Sequence, residues 1–361
     1  MIDISQNPLR ILAVADLWQG SNAYAFVRAF RRMGHSVRTA PPENFFPLWQ
    51  RKSLRIARRL LEPVLVREYA STLISEAKDM RPHLFFVFKG RYVSAETVRA
   101  IGDLGAVTIN FYPDVSFLAH GRYIPAALPV YDWVFTTKSF GVADMQRLTK
   151  AQGVSFLPHG YDPETHAPVQ LDDEDRARYE CDVSFIGTWS PKKQKLLEHL
   201  RREMPSVRLR VWGAQWERSC ATLGASIEGR GVFGREYAKA IVGSSINLAI
   251  LSETRRGASS GDLITSRTFH IPATGAFVLH ERTDEFLQYF AEGRECACFE
   301  TSGEMIEKIG YYLDNEDERR RMATAGLQRS IDSNYSVDSR AAKIAEKVFE
   351  IRLAREQSLS V

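Results

Sequence analysis

The 361-residue sequence has few cysteines, no long apolar run and little excess charge. Its four cysteines form no paired CxxC spacing, and we interpret Cys296 and Cys298 as reduced thiols in a partly buried strand. No apolar run is long enough to span a membrane and no signal peptide precedes the first strand, which predicts a cytoplasmic protein. A net charge of +4, without a recognition motif, does not indicate a nucleic-acid partner.

The chain has the composition of a globular protein, with 44% apolar and 25% charged residues, and it is long enough for two domains. The apolar run 10–15 predicts a strand, and a helix follows that Ser21 or Asn22 can cap. A second strand is predicted at 35–38. This order of elements is typical of a doubly wound α/β domain.

Further short apolar runs predict strands that are buried on both faces of parallel sheets. They lie at 83–88, 106–110 and 133–136 in the first half, and at 181–186, 208–212, 246–251 and 276–279 in the second. Residues 156–168, rich in Pro, Gly and His, separate the two sets. We therefore expect an N-terminal domain at 1–160, a C-terminal domain at 161–335, and a C-terminal helix at 336–361 that packs back toward the first domain.

The segment Gly261–Glu281 contains a polar run that starts a helix, an Ala-Thr-Gly turn and a short apolar strand. This order places Asp262, Arg267 and His270 near one helix N-terminus. Backbone N–H groups and the helix dipole attract anions there, so a diphosphate is the predicted ligand.

A second anion-binding element is predicted where Gly187 and Thr188 leave a strand and Pro191 opens a helix. Gly187 lets the backbone approach a ligand closely, and Lys192 and Lys193 can reach phosphate oxygens. Lysines in a first helical turn are usually just solvated. Together with Arg267, however, they predict a two-sided clamp on a diphosphate.

Residues from about 182 to 340 resemble the C-terminal domain of family-1-type glycosyltransferases, in particular the spore-maturation (CgeB-like) branch. The matching segments are FIGTWSPKKQKLLEHL, VWGAQW, YAKAIVGSSINLAI, SRTFHIPATGAFVL, FAEGRECACFE and NYSVDSRAAKI, in this order. The resemblance implies a GT-B fold, in which two Rossmann-like domains face a cleft and a C-terminal helix crosses back. Two α/β halves alone would also fit a dehydrogenase, a periplasmic binding protein or an epimerase.

The resemblance also implies roles for the segment Gly261–Glu281. Many retaining members carry Glu-x7-Glu, whose first carboxylate lies by the sugar and whose second holds the ribose hydroxyls. The matching positions are Asp262, which keeps the charge, and His270, which keeps only the ability to hydrogen-bond. Between them, Ser266, Arg267 and Thr268 are expected to bind the donor, with Arg267 on a phosphate. His270 can also be a histidine that merely packs at the helix start.

The activity implied is transfer of a sugar from a nucleoside-diphosphate sugar to a hydroxyl of a glycan or lipid-linked acceptor. The leaving diphosphate gains charge in the transition state, so fixed cations and helix N-termini stabilise it. No metal or further cofactor is expected, because no Asp-x-Asp motif presents paired carboxylates on a loop.

An inverting enzyme of this kind needs a base in the first domain. The candidates are, in order, Asp114, His120 and Asp16. Gly20 and Ser21 are candidates for the acceptor side of the cleft, although plain turn chemistry explains them equally well.

Residues 45–69 combine an aromatic cluster with a basic stretch that has helical spacing. Such a helix can lie on an anionic membrane, which would place the protein at the inner membrane face. An ordinary surface helix with a solvated basic face is the slightly favoured alternative.

Two other functions stay open at this point. One is a degenerate GT-B protein that binds a nucleotide or glycan without turnover, and the other is a nucleotide-sugar epimerase of the same fold. The sequence leaves the base, the sugar, the acceptor and the stereochemistry undetermined.

Overall fold

The computed structural model describes residues 7–46 and 55–359, without the side chains of residues 55–59 and 359. The chain forms two compact units. Unit 1 comprises Met1–Pro158, Thr254–Ser260 and Asp338–Val361, and unit 2 comprises His159–Glu253 and Gly261–Val337. The short stretch 254–260 therefore belongs to unit 1 although both of its flanks belong to unit 2.

Unit 1 is built on a parallel sheet of six strands in the order β2-β1-β3-β4-β5-β6. The strands are β1 (Arg10–Val14), β2 (Ser36–Thr39), β3 (Leu84–Phe88), β4 (Val107–Tyr112), β5 (Trp133–Thr136) and β6 (Val154–Phe156). The helices between them are α1 (Asn22–Arg32), α2 (Arg55–Met80), α3 (Ala95–Gly102), α4 (Tyr123–Ala127) and α5 (Ser139–Thr149).

The first helix shows how sequence pattern and packing agree in unit 1. The Ser21 hydroxyl accepts hydrogen bonds from the N–H groups of Ala23 and Tyr24, at 3.1 and 3.4 Å, and so caps the N-terminus of α1. The apolar face of α1 packs on the sheet, where the rings of Phe26 and Phe111 lie 4.6 Å apart. The spacing of the apolar residues is what turns this face toward the core.

Unit 2 has a parallel sheet of five strands in the order β11-β10-β9-β7-β8. The strands are β7 (Cys181–Ile186), β8 (Leu209–Trp212), β9 (Ser244–Ala249), β10 (Val278–Glu281) and β11 (Ala297–Phe299). The helices are α6 (Asp173–Tyr179), α7 (Pro191–Glu203), α8 (Arg235–Val242), α9 (Ser266–Ala273), α10 (Ser302–Asp314) and α11 (Glu316–Asp332). Short 3₁₀ helices lie in both units: at Pro42–Asn44, Phe117–His120 and Leu128–Val130 in unit 1, and at Trp216–Arg218, Ala221–Ser226 and Phe286–Gln288 in unit 2.

The last helix, α12 (Val337–Leu359), lies almost wholly in unit 1. Its Arg355 guanidinium pairs with Asp132, just before β5, at 2.5 Å. The Lys347 ammonium lies 4.2 Å from the centre of the Trp133 ring. These contacts attach the C-terminal helix to the sheet of unit 1.

The predicted α/β class and all of the predicted strands are confirmed. Two predicted windows, 133–136 and 181–186, coincide with β5 and β7, whereas β10 begins two residues later than expected and ends at Glu281. That shift matters because it places the Glu281 side chain at the carboxyl end of β10. Cys296 and Cys298 are buried free thiols, as predicted.

The predicted basic segment 45–69 is described only in part, since 47–54 and the side chains of 55–59 lie outside the described residues. Within α2, Leu60, Leu61 and Val64 are 74%, 51% and 53% exposed. Among the helices described, none is long and apolar enough to cross a bilayer.

Candidate functional site

The candidate site of unit 2 lies at the carboxyl ends of β7 and β9, which are neighbours in the sheet although β8 comes between them in the chain. Such a switch point is where open α/β sheets bind ligands. The helices α7 and α9 follow β7 and β9, and their N-termini therefore lie at the same edge.

A local hydrogen bond caps the start of α9. In it, the Thr268 hydroxyl accepts from the Thr265 N–H at 3.0 Å. Thr268 is fully buried, and its Oγ1 lies 2.8 Å from Nε2 of His280. Thr268 therefore fixes the start of the helix, and its hydroxyl faces the interior. Ser266, the first helical residue, is half-buried.

Arg267 joins the two central strands at their carboxyl ends. Its guanidinium donates to the carbonyl oxygens of Ile250 and Ile186, at 2.7 and 3.3 Å. Its Nε has no hydrogen-bond partner, and no carboxylate among the described residues forms an ion pair with it. Burial lowers the pKa of Arg267 from its ordinary value, although arginine remains charged in proteins. The site thus holds a fixed positive charge without a carboxylate partner.

Gly187 allows this arrangement. A Cβ atom at Gly187 would lie 2.9 Å from Nη1 of Arg267 and 2.9 Å from the Phe185 ring, so a side chain there would displace the guanidinium. The ring of Phe185 also lies beneath two cations, with Arg267 at 5.2 Å and Lys193 at 5.9 Å from its centre. The structure therefore brings Arg267 and Lys193 together, as cations on one aromatic ring.

The two lysines of the predicted clamp have different surroundings. Lys193 is buried, and its ammonium donates to the Thr188 carbonyl at 3.2 Å and to the Ser252 hydroxyl at 3.1 Å. The Lys192 ammonium is paired with Glu281 at 2.5 Å. Lys192 therefore has its charge compensated by the protein, and Lys193 is the lysine that lies with Arg267.

His270 lies in a buried aromatic cluster. Its ring stacks on that of His166 with centres 3.6 Å apart, and Tyr237 packs edge-on at 5.8 Å. Burial, followed by the charges of His166 and His159, holds the pKa of His270 well below its ordinary value, so the ring is neutral at pH 7. Its Nε2 is buried without a hydrogen-bond partner. A buried ring nitrogen without a partner is unusual in proteins, and it can donate to or accept from a hydroxyl group.

Asp262 is tied to the segment that follows β9. Its Oδ2 accepts from the Ser252 N–H at 3.3 Å, and its own N–H donates to the Ser252 carbonyl at 2.9 Å. The charge of Asp262 acts on Arg267, whose pKa it raises against the effect of burial. Asp262 and Arg267 are thus electrostatic neighbours.

The candidates in unit 1 lie at the carboxyl edge of its sheet. Asp114 follows β4, pairs with the Lys89 ammonium at 2.7 Å and lies 3.6 Å from Nδ1 of His120. Burial alone would raise the pKa of Asp114, but Lys89 and His120 lower it overall. Burial lowers the pKa of His120, and the Tyr112 hydroxyl lies 2.9 Å from its Nδ1. His120 is therefore a neutral imidazole that a carboxylate and a phenol orient.

Asp16, after β1, has a carboxylate neighbour that the sequence did not reveal. Burial and a hydrogen bond with Glu43 raise the pKa of Asp16 to about 6, and Glu43 itself accepts from the Leu17 N–H at 2.6 Å. Gly20, with φ at +87°, forms the turn before α1, and the Ser21 hydroxyl is engaged as the helix cap. For Gly20 and Ser21, the geometry is that of turn and cap.

An aromatic residue that the sequence analysis missed lies beside this edge of unit 2. Phe233 is 53% exposed, and its ring covers Gly231, where a Cβ atom would lie 2.5 Å from Cζ of the ring. Arg230 directly precedes Gly231, and its carbonyl oxygen accepts a hydrogen bond from the Gly213 N–H at 3.0 Å. Gly213 in turn packs on Gly187. Phe233 is thereby linked through three glycines to the segment that contacts Arg267.

Side chains that could bind a metal are dispersed in the part of the chain that the structure describes. Among the described residues, no three His, Cys, Asp or Glu side chains are grouped closely enough to hold an ion. Asp-x-Asp spacing occurs at Asp173 and Asp175, but both residues lie in the first turn of α6, and Asp175 pairs with Lys239 at 2.6 Å. These carboxylates belong to the first turn of a helix and not to a loop.

Part of the chain that carries this site is similar to a known protein family. Residues 192–346 match a family model described as glycosyl transferase-like. No curated protein sequence matches the chain. The match lies mostly within unit 2 and covers α7 from Lys192 onward, together with β9 and α9.

Solved structures extend the likeness to the whole chain at the level of fold. Sucrose-phosphate synthase from Thermosynechococcus elongatus has a TM-score of 0.65 and 13% identity, over 96% of this chain and 100% of that one. A glycosyltransferase from Rickettsia africae gives 0.65 and 12%, over 95% and 99%. Anabaena HepE in complex with UDP-glucose gives 0.60 and 11%, over 95% and 100%. The expected GT-B fold is confirmed.

Proposed function

We propose that this protein is a glycosyltransferase that moves a sugar from a nucleoside-diphosphate sugar to a hydroxyl of a glycan or lipid-linked acceptor. The observation that carries the proposal is the Arg267 guanidinium, which has no ion-pair partner among the described residues and lies at the switch point of a glycosyl transferase-like domain. Similar folds were determined with UDP and with UDP-glucose, which supports a donor of this class.

In the proposed reaction, the bond between the anomeric carbon and the diphosphate breaks, and negative charge develops on the leaving oxygen. Arg267 and Lys193 are two fixed cations on the Phe185 ring, and the N-terminus of α9 adds its N–H groups. Groups that are fixed before the reaction stabilise developing charge without reorganising. Protein cations thus supply the stabilisation, and the proposed chemistry requires no metal.

The nucleoside is proposed to meet neutral groups. The unpartnered Nε2 of His270 would hydrogen-bond a ribose hydroxyl, in place of the carboxylate of the Glu-x7-Glu motif. Lys192, which the sequence placed in the diphosphate clamp, is paired with Glu281. We therefore assign the phosphate role to Arg267 and Lys193, and a supporting role to Lys192.

If transfer proceeds with inversion, the acceptor hydroxyl needs a base in unit 1. We favour His120 in this role, with Asp114 orienting it, because His120 is neutral and Asp114 is already paired with Lys89. Asp16 is the second candidate, since a carboxyl group with a pKa of about 6 can exchange protons near neutral pH.

We further propose that the protein belongs to the CgeB-like branch and works at the cytoplasmic face of a membrane. The order of motifs in residues 182–340 supports the branch. The exposed Leu60, Leu61 and Val64 of α2, which follow a basic stretch in the sequence, support a peripheral contact through residues 45–69. In this arrangement, residues 1–160 would hold the acceptor and 161–335 the donor.

A second candidate function is binding of a nucleoside diphosphate without turnover. It is favoured by His270, which replaces a carboxylate of the motif with a neutral ring. Calorimetry with UDP, GDP, ADP, CDP and dTDP tests both candidates, because each requires one of these ligands to bind. If none binds at millimolar concentration, both proposals fail, together with the epimerase alternative.

A further inference from the structure

The opposite edge of the unit 2 sheet carries two adjoining depressions, which we name the amino-edge site. The larger has a volume of about 730 Å³ and begins at Cys181, Ser244 and Phe277, which lie at the amino ends of three strands. The smaller, of about 480 Å³, adjoins it at Arg176, Glu180 and Arg208. The six-residue strand β7 separates this edge from Arg267 by roughly 15–20 Å.

Arginine dominates the lining of the amino-edge site. The lining includes six arginines, namely Arg176, Arg201, Arg208, Arg210, Arg319 and Arg320, and the acidic residues Glu180 and Glu228. Carboxylates compensate four of these charges. Arg208 pairs with Asp182 at 2.8 Å and Arg320 with Glu316 at 2.5 Å, and the lining glutamates pair with Arg176 at 3.5 Å and Arg210 at 3.6 Å. A surplus of positive charge therefore remains around the two depressions.

The surplus is concentrated on two guanidinium groups. Arg319 donates to the Tyr312 carbonyl and Arg201 to the Val207 carbonyl, and neither forms an ion pair with a carboxylate among the described residues. Burial lowers the pKa of Arg319 from its ordinary value; the nearby charge of Glu316 acts against this effect and that of Arg320 adds to it. A partly buried cation next to a second cation is stabilised when an anion binds.

The rest of the lining suits a small molecule with an anionic group. Ser245 and Ser206 bring hydroxyl groups to the depressions, and Val169, Val242 and Phe277 provide apolar surface. Guanidinium groups bind phosphate through paired N–H donors. A depression of about 730 Å³ also lies within the range of small-molecule sites.

We propose that the amino-edge site binds a soluble phosphate ester, separately from the donor site. The proposal does not depend on the proposed function, because no residue of the amino-edge site belongs to the candidate donor site. Its position on the opposite edge of the same sheet makes it suited to a regulatory ligand.

Calorimetric titration with glucose 6-phosphate at constant ionic strength tests the proposal, with glucose as the uncharged control. Arg319→Gln should weaken binding at least about ten-fold, since a charge-assisted contact is lost. Arg320→Gln should weaken binding similarly. The Arg320 side chain is 75% exposed, so we expect this variant to fold normally. Arg319→Lys should be intermediate, because it keeps the charge but loses the paired donors.

Two matched variants locate the binding. Arg202→Gln removes an exposed arginine of α7 that lines neither depression, and it should bind as the wild type does. Arg267→Gln should also retain binding of glucose 6-phosphate. The proposal is overturned if the wild-type protein does not bind the ester at millimolar concentration, if Arg319→Gln and Arg320→Gln bind normally, or if only Arg267→Gln abolishes binding.

Discussion

Replacing Arg267 with alanine isolates the charge that the proposed donor site depends on. In the structure this guanidinium has two carbonyl contacts, a free Nε and no ion pair among the described residues. A hydrogen bond to a charged group contributes about 1.5–3 kcal/mol, so Arg267→Ala should weaken nucleoside-diphosphate binding by about 10- to 150-fold. The affinity of the wild type should also fall with added salt, because the interaction is electrostatic.

The same substitution removes two contacts that join β7 to β9, so loss of binding through partial unfolding has to be excluded. Arg267→Lys keeps the charge but not the paired N–H donors of the guanidinium, and its affinity should lie between those of the wild type and Arg267→Ala. Arg202→Ala serves as a control for the loss of one positive charge elsewhere in unit 2. Calorimetry below the thermal transition of each variant measures the effect, and equal affinity of Arg267→Ala and wild type would refute the phosphate role.

The remaining predictions concern the nucleoside and the buried histidines. His270→Glu should keep or improve nucleoside-diphosphate binding, because a carboxylate also accepts ribose hydroxyls; complete loss of binding by calorimetry would show that the histidine has another task. Phe233→Ala should weaken binding of the nucleoside diphosphate by about 5- to 100-fold if the base stacks on this ring, but leave pyrophosphate binding unchanged, and equal losses for both ligands would contradict stacking. Burial lowers the pKa of His270, that of His280 to about 3 and that of His83 to about 4. The folded state therefore binds fewer protons than the unfolded one, and the stability these groups contribute is complete above about pH 6.5 and is lost as the pH falls below it. The free energy of unfolding, measured with urea, should be lower at pH 5 than at pH 7.5. Equal values would refute the assignment of neutral imidazole rings to these histidines.

Local patterns predicted the fold well because the strands are short, continuous apolar runs. The run CDVSFI is β7, residue for residue, and of the two predicted caps of α1, Ser21 and Asn22, the structure has Ser21. The start of α9 was equally local, since Thr265 and Thr268 are three residues apart. Helix and strand signals of this kind depend on neighbours within a few positions.

Contacts distant in sequence were not predictable in the same way. Glu281 compensates Lys192 across 89 residues, so the lysine that looked available for phosphate is paired. His166 stacks on His270 from more than 100 positions away, and Glu43 raises the pKa of Asp16 from another loop. Such partners depend on the register of the sheet and on loop packing, which no local pattern encodes. The sequence therefore located the candidate site but not the protonation and pairing of its groups.

Release of nucleoside diphosphate from a panel of nucleotide sugars, measured with and without glycan and lipid-linked acceptors, tests the proposed function most directly. We expect release that requires an acceptor, that persists in Arg202→Ala and that falls at least about ten-fold in Arg267→Ala at subsaturating donor. Release of free sugar without any acceptor, or release that does not respond to Arg267→Ala, would contradict the proposed function.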